Sequence, residues 1–319
     1  MFSIEHITEN GFDKLVLKDI GNQTSAEVIP SCGAILHSFG VIKEGSYFNV
    51  IKSYQNADEF RSNVEKLGFL GCKLSPFVCR IKNGIYKFGE YEYKLQKFYL
   101  GKNALHGLVY DKSFGVLEEE ANEQMARVKM IFEYKGVDAG YPFSYDCIVS
   151  YELEKNNRLN IITEIQNRTD GLLPVQDGWH PYFTLGDKID ECQLEFQSKE
   201  KLVFDEQLLP TGDLMRYEEF GSLRKIGASS FDTCFMLDFT ECQPMCVLRN
   251  STQKIEIEIF PDKSYPYLQL YTPSERDSIA IENLSSAPDA FNNKMGLNVL
   301  QAGESIIFKT SYKINVMHE

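Results

Sequence analysis

The segment Lys254–Phe260 alternates without a break: Ile255, Ile257 and Ile259 fall on one side, Glu256 and Glu258 on the other. A period of two over this length predicts a strand with one face on a core and one face wet. The same alternation runs through Ala126–Tyr134, around Val128, Met130 and Phe132, and through Asp146–Leu153, around Cys147, Val149 and Tyr151. Leu15–Ile20, Ala26–Ile29, Leu159–Ile165, Tyr267–Tyr271, Ser278–Glu282 and Ser305–Val316 read as further extended segments. Between Phe77–Lys82 and Ile85–Phe88 stands Asn83-Gly84, whose residues both tolerate positive φ. A two-residue hairpin turn is expected there, with the second strand continuing through Tyr91 and Tyr93. Helical spacing is scarce: only Ala57, Phe60 and Val64 share a face, which predicts a short connecting helix over Asn56–Lys66. Many strands with almost no helices of crossover length predict an all-β fold, a large antiparallel β-sandwich with few short helices. No repeat, linker or low-complexity tract divides the chain, so residues 1–319 are expected to form a single domain.

Composition narrows what such a fold can serve. With 43% apolar and 25% charged residues the chain is an ordinary globular one, and its 13% aromatics suit strands and sugar sites alike. The formal net charge of −13 repels phosphate backbones and anionic lipids, and no cluster of Lys and Arg offsets it. Nucleic acid and membrane partners are therefore not expected. The opening MFSIEHITENGFDKL has no basic region followed by an apolar run, and no window approaches the roughly 20 apolar residues of a membrane span. A soluble, cytoplasmic protein is expected. The eight cysteines are spread along the chain without a pairing motif, which predicts reduced, mostly buried thiols. Cys242 and Cys246 have no histidine nearby, so no metal site is assigned to them.

The candidate chemistry begins at Trp179-His180-Pro181-Tyr182-Phe183, which seats a histidine between an indole and a stiffening proline. Imidazole exchanges a proton near neutrality, so His180 is a candidate acid or base. His106 precedes Gly107, where the backbone can turn tightly or approach a ligand. Arg80 sits among Val78, Cys79 and Ile81, a setting in which a charge needs a partner. Asp232 follows Ser229-Ser230-Phe231, and Glu282 ends the apolar run Ile279-Ala280-Ile281 ahead of Pro288-Asp289-Ala290. Trp179 reads as core, and Asp289 as an organiser of the loop around Glu282.

In this order, Arg80, Asn103-x-x-His106-Gly107, His180-Pro-Tyr-Phe183, Asp232, Tyr271-Thr272 and Glu282 with Pro288-Asp289-Ala290 resemble the aldose 1-epimerase (galactose mutarotase) family over nearly the whole chain. The resemblance implies a galactose mutarotase-like supersandwich that interconverts the α and β anomers of a free aldose without a cofactor. It assigns Glu282 as general base and His180 as general acid. Arg80, His106 and Asp232 would bind sugar oxygens, with Gln269 lining the cleft. The partner implied is a small sugar, and the protein a monomer or homodimer. Leu108, Thr184 and Asn283 depart from residues frequent in the family, which leaves the identity of the sugar open.

The chemistry agrees with those roles. Opening a pyranose removes the proton of the C1 hydroxyl while the ring oxygen gains one, so a base and an acid must stand a few ångströms apart. Two other functions are compatible with the same fold. A hexose-6-phosphate mutarotase would need extra cations near the motifs, and none is grouped there. A non-catalytic sugar-binding protein would have no use for a matched acid and base.

Overall fold

The computed structural model describes residues 1–317, so His318 lies outside the described residues. Two nine-stranded antiparallel sheets dominate, with smaller sheets packed around them. The first runs Gly115–Ala121, Met125–Tyr134, Tyr145–Glu154, Arg158–Asn167, Ser305–Val316, Ile255–Ile259, Cys246–Asn250, Gln193–Phe196 and Arg224–Lys225. Its long members realise the predicted alternation: Val128, Met130, Cys147, Val149, Tyr151, Ile257 and Ile259 are all buried. The second contains Ser198–Phe204, Asp232–Leu237, Tyr267–Tyr271, Ile279–Leu284 and Gly178–Trp179 as neighbours. One hydrophobic cluster takes Val128, Met130 and Tyr151 from the first sheet and Leu268, Leu270, Ile279 and Ile281 from the second, so the core lies between the two. This is the expected antiparallel sandwich.

Because side chains alternate across a strand, burying Leu268, Leu270, Ile279 and Ile281 turns Gln269, Tyr271 and Glu282 to the opposite face. Gln269 pairs directly with Glu282, and Asp232 with Tyr271. The outer face of the second sheet thus gathers Asp232, Gln269 and Glu282 from three adjacent strands. Among the described residues no helix is long and apolar enough to cross a membrane. The eight cysteines are free, seven of them buried and Cys242 exposed.

Four local expectations are corrected. Asn83 and Gly84 do take positive φ, 53° and 63°, but they do not close a hairpin. Arg80–Ile81 pairs with Asn103–Leu105 instead, and Ile85–Phe88 pairs with Tyr91–Lys94 across a turn at Gly89. Tertiary contacts capture the turn: the Asn83 amide donates to Asn103 Oδ1, and a Cβ on Gly84 would collide with the Tyr99 hydroxyl. The proposed strand Phe77–Lys82 accordingly shrinks to Arg80–Ile81. The helix spans Ala57–Asn63 rather than continuing to Lys66. Asn56 caps it by accepting from the Glu59 amide at 2.8 Å, an arrangement worth about 1 kcal/mol. Beyond it Gly68 and Phe69 turn left-handed, which ends the helix and swings Phe69 inward. Finally, Glu256 is not on a wet face, because Arg249 covers it and ion-pairs with it at 2.5 Å.

Candidate active site

His180 is placed by two short strand pairings. Gly178 pairs with Leu284 and Tyr182 with Ala280, so His180, midway along one segment, falls opposite Glu282, midway along the other. The approach is close because residue 178 is glycine: a Cβ there would lie 2.7 Å from Leu284. Pro181 cannot donate to the ladder, yet its carbonyl accepts from Ile281, and the His180 backbone turns away to bond Cys72 and Gly71. The result is His180 Nε2 at 3.4 Å from Glu282 Oε1, in a sheet position that pairing alone would not bring side chain to side chain.

Rings hold the imidazole in place. His180 stacks on Tyr182 at 5.1 Å and meets the His106 ring edge-on at 4.9 Å. Tyr182 is itself fixed, its hydroxyl donating to the Gly68 carbonyl at 2.9 Å. His106 arrives from the three-stranded sheet of Arg80–Ile81, Asn103–Leu105 and Tyr99–Leu100. Its φ is 58°, and Gly107 follows at 81° because a Cβ there would strike the Ser75 carbonyl. The His106 amide donates to the Cys79 carbonyl, which sets the ring beside Arg80. Asp289 organises the loop after Glu282, its Oδ1 accepting from Asn292 Nδ2 at 2.7 Å, and also ties that loop to Arg80: its amide donates to the Arg80 carbonyl, and its carboxylate accepts from the Lys82 amide.

All six residues singled out in the sequence therefore line one open cleft of about 330 Å³, at the lower end of the size usual for small-molecule sites. Glu282, His180, His106 and Gln269 are buried, whereas Arg80 and Asp232 are half-buried. Gln269 Nε2 donates to Asp232 Oδ1 at 3.0 Å. Among the described residues Arg80 makes no ion pair, which leaves its guanidinium available to a ligand. His106 Nδ1, His180 Nδ1, Gln269 Oε1 and Glu282 Oε2 are buried without hydrogen-bond partners. Trp179 is not among the lining residues; it packs behind the site against Lys73 and Tyr151.

Electrostatics divides the acid and base. Burial drives Glu282 well above the usual carboxylate range, and the neighbouring Asp232 adds to this while Arg80 opposes it. Burial drives His180 down to about 4, offset in part by its own backbone carbonyl. His106 is also pushed well below its ordinary value, by burial first and then by His180 and Arg80. Burial thus raises the proton affinity of Glu282 and lowers that of His180. Sequence reasoning missed the cleft's other wall: Phe69, Phe98, Leu100 and the lip residues Glu65 and Lys66. None lies in a polar motif, and only the left-handed turn at Gly68-Phe69 folds that segment back toward His106.

The supersandwich presents a carboxylate and an imidazole 3.4 Å apart in an open cleft, with the Arg80 guanidinium lining the same cleft. The aldose 1-epimerase family profile matches residues 14–313, and the chain belongs to that family. It is 26% identical over 322 residues to the aldose 1-epimerase of Streptococcus thermophilus, with 88% of each chain covered. It is 22% identical over 329 residues to the maltose epimerase of Levilactobacillus brevis, with 92% of each covered. The fold is that of a galactose mutarotase-like protein from Clostridium acetobutylicum, with a TM-score of 0.86 at 18% identity and 99% of each chain covered.

Proposed function

We propose that the protein interconverts the α and β anomers of a free hexose of galactose or glucose type by general acid/base ring opening and reclosure. The observation that carries this reading is the His180–Glu282 contact at 3.4 Å in a cleft of about 330 Å³ that Arg80, His106, Asp232 and Gln269 also line. Glu282 acts as base on the C1 hydroxyl and His180 as acid on the ring oxygen. For that step the proton must sit on His180 and the carboxylate must be ionised. Sugar hydroxyls donating to Glu282 favour its ionised form.

Ring opening then returns the proton to Glu282 and leaves His180 neutral. Rotation about C1–C2 and reversal of the two transfers close the ring on the other face, and the pair again holds one proton. Each positioned transfer contributes roughly 10²–10⁴-fold in rate. Arg80 and His106 offer donors to the sugar oxygens on which charge builds, and Asp232, held by Gln269, accepts from a hydroxyl.

A hexose phosphate is a poorer fit. Lys66 and Arg80 are the cleft's cations, and Glu65 and Asp232 stand beside them, leaving no clear excess of positive charge for a dianion. The same reading treats residues 1–319 as one working unit, in keeping with a core cluster that runs from Phe2 to Ile314. Polarimetry on freshly dissolved α-galactose and α-glucose tests the proposal. The expected result is a decay to equilibrium faster than in buffer, in proportion to protein; a decay at the buffer rate for both sugars overturns it.

A further inference from the structure

An acid must carry a proton before it can give one, and His180 has to do so where burial disfavours charge and brings it down to about 4. The titratable side chains around its imidazole differ in what they offer. Glu282 stands 3.4 Å away, His106 meets the ring edge-on at 4.9 Å and 86°, and Tyr182 lies nearly parallel to it at 5.1 Å and 16°. Arg80 and Asp232 line the same cleft, and the Cys72 thiol, on the residue whose carbonyl accepts from the His180 amide, is kept protonated by burial. Tyr182 alone of these presents the face of an aromatic ring.

That face is held in place from several sides. The strand Tyr182–Phe183 lies between Ile279–Leu284 and Ile51–Lys52, with Tyr182 paired to Ala280 and to Lys52. Its hydroxyl donates to the Gly68 carbonyl at 2.9 Å, and a Cβ on Gly68 would come within 2.7 Å of that hydroxyl. Tyr271 meets the ring edge-on at 6.4 Å, and Tyr182 is 2% exposed. The face of an aromatic ring carries the negative part of its quadrupole, so it attracts a cation lying over it, and more strongly away from water. A neutral imidazole gains only ordinary stacking there. The parallel ring therefore favours the protonated form of His180 and opposes the effect of burial.

We propose that Tyr182 is a positioning residue whose ring face stabilises His180 in its protonated form, so that the buried imidazole can hold the proton it gives to the sugar's ring oxygen. This rests on the epimerase reading above and deepens it by naming the group that keeps the acid charged.

The test is the titration of His180, followed by NMR with isotope-labelled histidine in the wild type, Tyr182→Phe and Tyr182→Leu, with kcat for anomer exchange of α-glucose measured alongside. Tyr182→Phe keeps the face and should leave the midpoint within about 0.2 pH units, whereas Tyr182→Leu should lower it by about 0.5–1 pH units and kcat by about three- to ten-fold. An unchanged midpoint in Tyr182→Leu, or an equal fall in Tyr182→Phe, overturns the proposal. Should the leucine variant not fold, Tyr182→Phe made with progressively fluorinated phenylalanines decides, because the shape stays while the face loses its negative character. A stepwise fall in the midpoint supports the proposal, and a flat series overturns it. If the wild type leaves α-glucose at the buffer rate the epimerase reading fails, and the His180 midpoints still decide what the Tyr182 ring does.

Discussion

Two buried carboxylates belong to neighbouring segments, Asp177 just before Gly178–Trp179 and Glu282 within the adjoining Ile279–Leu284, and the difference between them separates scaffold from candidate site. Asp177 leads into Gly178–Trp179 just ahead of His180, and Ser285 beside it follows the strand of Glu282. Asp177 Oδ1 accepts from Lys73 at 2.5 Å and from the Tyr265 hydroxyl at 2.6 Å. Lys73 also donates to the Gly178 carbonyl and lies 4.4 Å from the Trp179 ring, and both members of the pair are fully buried. Burial raises Asp177, but Lys73 and Tyr265 pull it back. Glu282 has no such donors: its nearest nitrogen is an imidazole at 3.4 Å, and a second carboxylate pushes its proton affinity further up. The closed pair ties the strands together. The open pair, hung on those strands, faces the cleft without a cation of its own.

The comparison is broken most severely at the open pair. Glu282→Gln should lower kcat for hexose anomer exchange by roughly 10²–10⁴-fold. Its unfolding midpoint should stay level or rise, because a buried ionisable group is replaced by a neutral one; a large loss of stability would make Glu282 a scaffold residue. Lys73→Met should do the reverse, leaving Asp177 buried without its cation at a cost of about 3–5 kcal/mol in denaturant unfolding. Adding Asp177→Asn should recover part of that loss.

The third expectation concerns pH. Below about 4, the value to which burial brings His180, both members of the open pair are protonated and no base remains. Above the raised value of Glu282, both are deprotonated and no acid remains. The profile of kcat/KM should therefore fall on its acid side near 4 and hold a plateau whose upper edge Glu282 sets. Unperturbed groups would confine activity to the window between about 4.3 and 6.5. A smaller effect belongs to Asp232→Asn. Removing this charge should lower Glu282's proton affinity and move the alkaline limb to lower pH, while KM rises about ten-fold from a weakened hydroxyl contact.

The sandwich was legible because its long strands bury alternate residues, as in Met125–Tyr134 and Arg158–Asn167. The six cleft residues were legible from motifs in a fixed order, although periodicity alone gave no reason to bring His180 opposite Glu282. That needs the register of Gly178–Trp179 and Tyr182–Phe183, strands two residues long and too short to show a period. Edge strands escaped for a related reason: Gly115–Ala121 is exposed along most of its length and carries no apolar alternation. The Asn83-Gly84 turn had the right local chemistry but was claimed by Asn103 and Tyr99, partners distant in sequence. Lys73 and Asp177 carried no local signal, because only the folded chain brings them together.

The claim on which the rest depends is that His180 and Glu282 pass one proton to and from a single sugar ring. NMR exchange spectroscopy between the anomeric protons of α- and β-glucose measures this directly, at equilibrium and without a coupling enzyme. The account predicts exchange cross-peaks that grow with wild-type protein and vanish with either Glu282→Gln or His180→Asn. Wild-type cross-peaks that survive both substitutions, or never exceed those of buffer, would contradict it.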